Sequence, residues 1–221
     1  MMFPNWSKNI LFLLVYMISG LVLVIIIDGL LSGTELLPLN TAIESILIQM
    51  RTPFLTTLFV YVTRLGNPAV LLSVSALIAI VFVTRGRYYD AAIFIVTLIV
   101  AVTSLTVLKN TFQIARPVSD LIDANGWSFP SGHATLATTF FFMLAHSFFY
   151  RMKTYFGKTI LVLGSIFATA LICFSRLYLG AHWTLDIMAG IALGLLSVSF
   201  TILMFSLFVD NQRSFKNIID S

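Results

Sequence analysis

The stretch Ala91-Ala92-Ile93-Phe94-Ile95-Val96-Thr97-Leu98-Ile99-Val100-Ala101-Val102-Thr103-Ser104-Leu105-Thr106-Val107-Leu108 contains no charged residue. Its β-branched content would suggest a strand in water. Length and solvent decide otherwise. About 20 apolar residues in a helix cross a hydrocarbon core of about 30 Å. An open sheet edge in lipid would leave backbone N–H and C=O groups without partners, so a spanning helix is the expected structure.

Composition extends that reading to the whole chain. Of its 221 residues, 59% are hydrophobic and 10% charged, where a soluble domain carries roughly a quarter charged residues. Five further apolar runs are long enough to span: Ile10–Ile27, Pro68–Thr84, Ala134–Tyr150, Thr159–Phe174 and Thr184–Val209. The expected fold is an all-α integral membrane protein, a six-transmembrane-helix bundle forming a single membrane domain over residues 1–221. Lys8 before the first run resembles the start of a signal peptide. The run is long and lacks a clear small-residue cleavage site, so it is read as a retained helix.

Pro38–Asn67 has a different character. It carries Glu44, Arg51 and Arg64 and is broken at Pro53 and at Gly66-Asn67-Pro68. Ile43, Ile46, Leu47 and Met50 fall on one helical face, and Thr41 with Glu44 has the spacing of a capping box at the helix start. The expectation is an interfacial or half-inserted helical segment between the first two spans. Phe54–Val62 is short for a seventh span.

Six spans divide the thirteen Lys and Arg residues unequally. Lys8, Arg85, Arg87, Arg151, Lys153, Lys158, Arg213 and Lys216 fall on one side, and Arg51, Arg64, Lys109, Arg116 and Arg176 on the other. The positive-inside rule makes the first side cytoplasmic, with both termini there. The other side then faces outward: periplasmic or extracellular if the membrane is a bacterial inner (plasma) membrane, luminal if it is an internal eukaryotic one. The net charge of +4 then reflects topology and anionic lipid, and no nucleic-acid partner is expected. The single cysteine, Cys173, lies in an apolar run and forms no intrachain disulfide.

Three short segments at the mouths of these runs carry charge where charge is expensive. Lys109 is followed seven residues later by Arg116-Pro117. Then come Pro130-Ser131-Gly132-His133, and last Ser175-Arg176 with His182 and Asp186. All three fall on the outward face, periplasmic or extracellular. His182 and Asp186 are four apart and share a helical face, so Asp186 can hold one ring nitrogen as N–H and leave the other as base or nucleophile. Gly190 and Gly194 continue that face and are expected to pack against a neighbouring helix. Ser131 is placed as an N-cap. A helix N-terminus suits a phosphate, and Gly132 permits close backbone approach. Lys109, Arg116 and Arg176 can stabilise a transferring phosphoryl group. Taken singly, each segment also fits a structural polar pair, a capped helix start or snorkelling cations.

Together, Lys-x6-Arg-Pro, Pro-Ser-Gly-His and Ser-Arg-x5-His-x3-Asp resemble the type 2 phosphatidic acid phosphatase superfamily, in particular its membrane-bound bacterial lipid phosphatases. The match covers Lys109–Asp186 without departure. The resemblance implies a lipid phosphate phosphatase. His182 would be the nucleophile, forming a phosphohistidine, and Asp186 would orient it. His133 would be the general acid. Lys109, Arg116, Arg176, Ser131 and Gly132 would bind phosphate, with no metal or other cofactor. The implied partner is a membrane lipid phosphate: undecaprenyl diphosphate, phosphatidylglycerophosphate, phosphatidic acid or a lipid A phosphate. Phosphotransfer to another lipid, a zinc site on His133, His182 and Asp186, and a non-enzymatic lipid-binding or transport role remain alternatives at this stage. The oligomeric state is open.

Overall fold

The computed structural model describes residues 5–33, 37–122 and 125–219. Side chains at 5–8, 37–39 and 209–219, including Lys8, Arg213 and Lys216, lie outside the described part. The described residues form helices α1 (Asn5–Leu31), α2 (Leu37–Gln49), α3 (Pro53–Leu65), α4 (Pro68–Thr84), α5 (Tyr88–Phe112), α6 (Gly132–Phe149), α7 (Tyr155–Tyr178) and α8 (Thr184–Ile219). The β-branched run lies wholly within α5, as lipid requires.

Four of these are long and apolar enough to cross a membrane: Asn9–Leu31, Tyr88–Phe112, Tyr155–Tyr178 and Thr184–Phe208. α3 and α4, bent by 43° at their junction, would together make a fifth. The bend follows from sequence. Asn67 caps α4 by accepting from the Ala69 N–H at 2.8 Å, and Pro68 occupies the first helical position. α1 leaves Leu11, Met17, Ile18, Leu21 and Val24 facing outward, each about three-fifths exposed. Such a helix is stable only where its surroundings are apolar, and the chain is an integral membrane protein.

α6 occupies the centre, touching α4, α5, α7 and α8. Phe94, Phe140, Met143 and Leu136 fill the core around it. Its buried threonines need no partner from other helices. Thr135, Thr138 and Thr139 each donate to the carbonyl four residues earlier, at 2.7–2.9 Å.

α6 and α8 cross closely. A Cβ on Gly190 would stand 2.8 Å from the Ser131 carbonyl oxygen and from the Ala134 Cβ. One on Gly194 would meet the Thr138 Cβ at 2.6 Å. The glycine stripe therefore serves packing within the chain. At the far end of the bundle Asp90 binds Arg87 and Arg151, each at 2.8 Å. One sequence expectation needs correction. α2 begins at Leu37, ahead of Thr41, so Thr41 and Glu44 lie inside the helix and form no capping box at its start. Of its expected apolar face only Leu47 is buried, while Ile46 and Met50 are about half exposed.

Gly190→Ala should force α8 away from α6 and cost about 1–3 kcal/mol, the usual range for overpacking. Gly164→Ala, where a Cβ meets nothing within 4 Å, should be neutral or stabilising by about 0.5–1 kcal/mol. Thermal unfolding in detergent compares the two, and equal melting temperatures would refute the close crossing.

Candidate active site

Three chain segments converge at the end of the bundle remote from Asp90. α5 brings Lys109, the loop after it brings Arg116 and Ser128, and the α7–α8 turn brings His182. Ser131 caps α6 as expected, accepting from the Ala134 N–H at 3.4 Å. Its own N–H donates to the Asp186 carbonyl at 3.0 Å. That bond joins the start of α6 to the start of α8 and places the Pro-Ser-Gly-His segment against the His-x3-Asp segment. The α7–α8 turn is held from two sides. Arg51 Nε donates to the Tyr178 carbonyl at 3.2 Å and Ser119 Oγ to the Leu179 carbonyl at 2.6 Å. Gly180 between them has φ +67° and lies against Arg51 and Ser119, a position that suits glycine alone.

His182 is 4% exposed and Asp186 2%. Arg116 Nη1 stands 3.0 Å from His182 Nε2. A guanidinium has no acceptor lone pair, so Nε2 must be the unprotonated nitrogen and Nδ1 must carry the hydrogen. This tautomer is assigned from the hydrogen-bond network. Nδ1 faces Ser128 Oγ at 3.3 Å and Asp186 Oδ2 at 3.4 Å. The Ser128 hydroxyl donates a short hydrogen bond to Asp186 Oδ2, and the Trp183 N–H donates to the same oxygen at 2.8 Å. Burial, opposed by Asp186, lowers the His182 pKa to about 4. The ring is neutral near pH 7, and its lone pair sits at Nε2, where Arg116 holds it.

Arg116 and Arg176 lie within electrostatic reach of that ring, and Lys109 within reach of Arg116. Arg116 Nε donates to the Gly126 carbonyl at 2.9 Å, its Nη2 to Trp127 at 3.2 Å, and its Nη1 also to Ala181 at 2.8 Å. Lys109 Nζ donates to the Trp127 carbonyl at 2.6 Å and feels the charges of Arg116, Asp186 and Arg176. Arg176 is 6% exposed. Its Nη1 donates to Thr63 Oγ1 at 2.8 Å, while its Nε has no hydrogen-bond partner among the described residues. A buried guanidinium N–H in that state suits an anionic ligand. His133, half-buried at the first turn of α6, lies within electrostatic reach of Arg176, His182 and Arg116, beside the Thr63 backbone. Lys109, Arg116, Arg176, Ser131, Gly132, His133, His182 and Asp186 thus gather at one end of the bundle.

Two site neighbours escaped the sequence reading. Ser128 precedes the Pro-Ser-Gly-His segment by two residues, and no periodicity or charge marked it. Thr63 lies on α3, far away in sequence. Among the described residues no group of three His, Cys, Asp or Glu side chains is placed to hold a metal, so His133, His182 and Asp186 do not form a zinc ligand set. His146 packs edge-on to Phe12, ring centroids 5.6 Å apart. Trp183 donates from Nε1 to the Ala115 carbonyl at 3.0 Å, while Trp127 is two-fifths exposed beside the site.

The chain is 26% identical to phosphatidylglycerophosphatase B of Bacillus subtilis over 161 residues, covering 71% of this chain and 78% of that protein. It is 28% identical to an undecaprenyl-diphosphatase of Sulfolobus acidocaldarius over 169 residues, covering 75% and 78%. Its fold resembles the crystal structure of a transmembrane PAP2-type phosphatidylglycerolphosphate phosphatase from Bacillus subtilis, with TM-score 0.75, 21% identity and coverage of 83% and 93%. LpxE of Aquifex aeolicus superposes with TM-score 0.59, 25% identity and coverage of 74% and 94%. The model of the PAP2 superfamily matches residues 90–210, which include every charged group gathered around His182, and the chain belongs to that superfamily.

Proposed function

We propose that the protein is a metal-independent lipid phosphate phosphatase acting through a phosphohistidine on His182. The observation carrying this reading is the bare Nε2 of a buried, neutral His182 turned toward the Arg116 guanidinium. A nucleophile beside fixed cations is matched to phosphoryl transfer, where charge spreads over three equatorial oxygens.

In the proposed sequence a lipid phosphate is bound by Lys109, Arg116 and Arg176, with the Ser131 hydroxyl and the Gly132 N–H completing the cradle. Its oxygens draw Arg116 Nη1 from Nε2 and release the lone pair. The Nε2–P bond forms as the P–O bond to the lipid breaks, and His133, which takes up a proton when the phosphate anion binds beside it, gives that proton to the leaving oxygen. The imidazolium retains its Nδ1 hydrogen, and Asp186 stabilises the positive charge. Water then attacks phosphorus and gives a proton to His133. The Nε2–P bond breaks and inorganic phosphate leaves.

The relatives' names point to undecaprenyl diphosphate or phosphatidylglycerophosphate as substrate. A lipid A phosphatase or phosphotransferase, which the same phosphate-holding cations would serve, is the second reading. We read the chain as six crossings by α1, α4, α5, α6, α7 and α8, with α2 and α3 at the membrane face. Helices α5 and α6 support this. Within α5, Asp90 and Lys109 are about 28 Å apart along the axis at 1.5 Å per residue. α6 starts beside Asp186 and ends next to Arg151, which binds Asp90, so it covers the same depth. Six crossings put both termini in the cytoplasm and the site on the periplasmic or extracellular face of a bacterial inner membrane. There a headgroup can enter while its tails stay in lipid.

Purified protein should release phosphate from one of these lipids in excess EDTA, and His182→Ala should lower that release roughly a thousandfold or more. Loss of release on chelation, restored by zinc, would refute the metal-free mechanism. Lipid product bearing transferred phosphate would favour phosphotransfer.

The pH profile gives a separate test. Only the unprotonated form of Nε2 attacks, and a lowered pKa keeps that form available in acid. The acid limb of kcat/KM assigned to His182 should therefore lie near pH 4, below the ordinary histidine value of about 6.5. A limb at the ordinary value would contradict the buried, neutral ring.

A further inference from the structure

Asp186 does not reach His182 by a good direct hydrogen bond. The Nδ1–Oδ2 separation is 3.4 Å and the Nδ1–Ser128 Oγ separation 3.3 Å, both beyond the usual 2.7–3.2 Å, so what separates the two contacts is which partner is already engaged. Oδ2 is already taken by two better donors, the Ser128 hydroxyl and the Trp183 N–H. A serine hydroxyl has one hydrogen. Having given it to Asp186, Ser128 can meet Nδ1, 3.3 Å away, only as acceptor. That requires the hydrogen on Nδ1, which the Arg116 contact at Nε2 requires independently. Both ends of the imidazole agree on one tautomer, and the order of donation is His182 Nδ1–H to Ser128 Oγ–H to Asp186 Oδ2.

We infer that Ser128 is a positioning residue for the reaction proposed above, a relay that holds the Nδ1 hydrogen of His182 and couples it to the Asp186 carboxylate. This role rests on the phosphohistidine reading. The surroundings leave the serine little freedom. Its residue is fully buried, its N–H donates to the Ile114 carbonyl at 2.7 Å, and the adjoining Phe129 packs on Phe112 with ring centroids 5.4 Å apart. Bulk water cannot replace a lost hydroxyl at zero exposure. Truncation would leave Asp186 one donor short and free the imidazole to tilt toward the carboxylate, swinging Nε2 off the line of attack.

The test pairs kinetics with the position of the hydrogen. Ser128→Ala should lower kcat roughly ten- to a hundredfold, while the hydroxyl-retaining Ser128→Thr stays within about threefold of wild type. KM should change by about twofold or less, because the serine does not touch substrate. In ¹⁵N-histidine-labelled protein, with His182→Ala assigning the signal, His182 should be protonated at Nδ1 alone. Its Nδ1 proton should resonate upfield of a carboxylate-bonded one and move downfield in Ser128→Ala. An Nδ1 proton already at the carboxylate position in wild type, or an unchanged kcat in Ser128→Ala, would overturn the relay. The wild-type spectrum decides the matter even if the Ser128 variants fail to fold. Wild-type protein that releases no phosphate from any lipid would instead sink the function while the proton position still tests the contact.

Discussion

The close crossing of α6 and α8 is the constraint on which the rest of the molecule depends. In lipid, helices gain nothing by hiding apolar surface from one another, so association rests on close packing and hydrogen bonds. Gly190 and Gly194 remove the side chains that would hold the two helices apart. The crossing sets the register that lets the Ser131 N–H reach the Asp186 carbonyl. Two motif segments distant in the chain are thereby brought together by backbone geometry. The cluster of Asp90 with Arg87 and Arg151 fixes the opposite end of the same bundle.

Around that joint the protein holds several cations with few anions. Arg116 and Lys109 are fixed chiefly by the carbonyl oxygens of Gly126, Trp127 and Ala181. Carbonyls orient a cation without cancelling its charge, so positive potential stays directed at His182. Asp186 is the nearby anion, and the Ser128 hydroxyl and the Trp183 N–H share its carboxylate. The result is a fixed positive field around His182, of the kind the proposed phosphoryl transfer would use. Burial acts with it by keeping His182 neutral and its Nε2 unprotonated.

Much of this was legible in the residues. The Ala91–Leu108 run had to be helix, because lipid leaves no other way to satisfy its backbone. Lys109, Arg116, His133, Arg176, His182 and Asp186 could be picked out because a charged or ionisable group at a membrane edge needs a reason. The glycine pair four apart pointed to helix packing. Ser128 and Thr63 were invisible for the opposite reason. A serine or threonine in an apolar chain is common, and each usually bonds its own helix, as Thr135, Thr138 and Thr139 do. Thr41 with Glu44 was misread as a helix start because spacing alone cannot say where a helix begins.

The sequence by itself determined the helical membrane architecture and the inventory of charged groups, since both follow from transfer energies that each residue carries wherever it sits. Tertiary structure decided which nitrogen of His182 is free, which donors share Asp186, and that Arg176 is anchored by Thr63. Those are matters of a few tenths of an ångström between segments distant in the chain. They are set by how closely α6, α7 and α8 approach and by the loop that carries Arg116 and Ser128 across their ends, and no local pattern of residues encodes them.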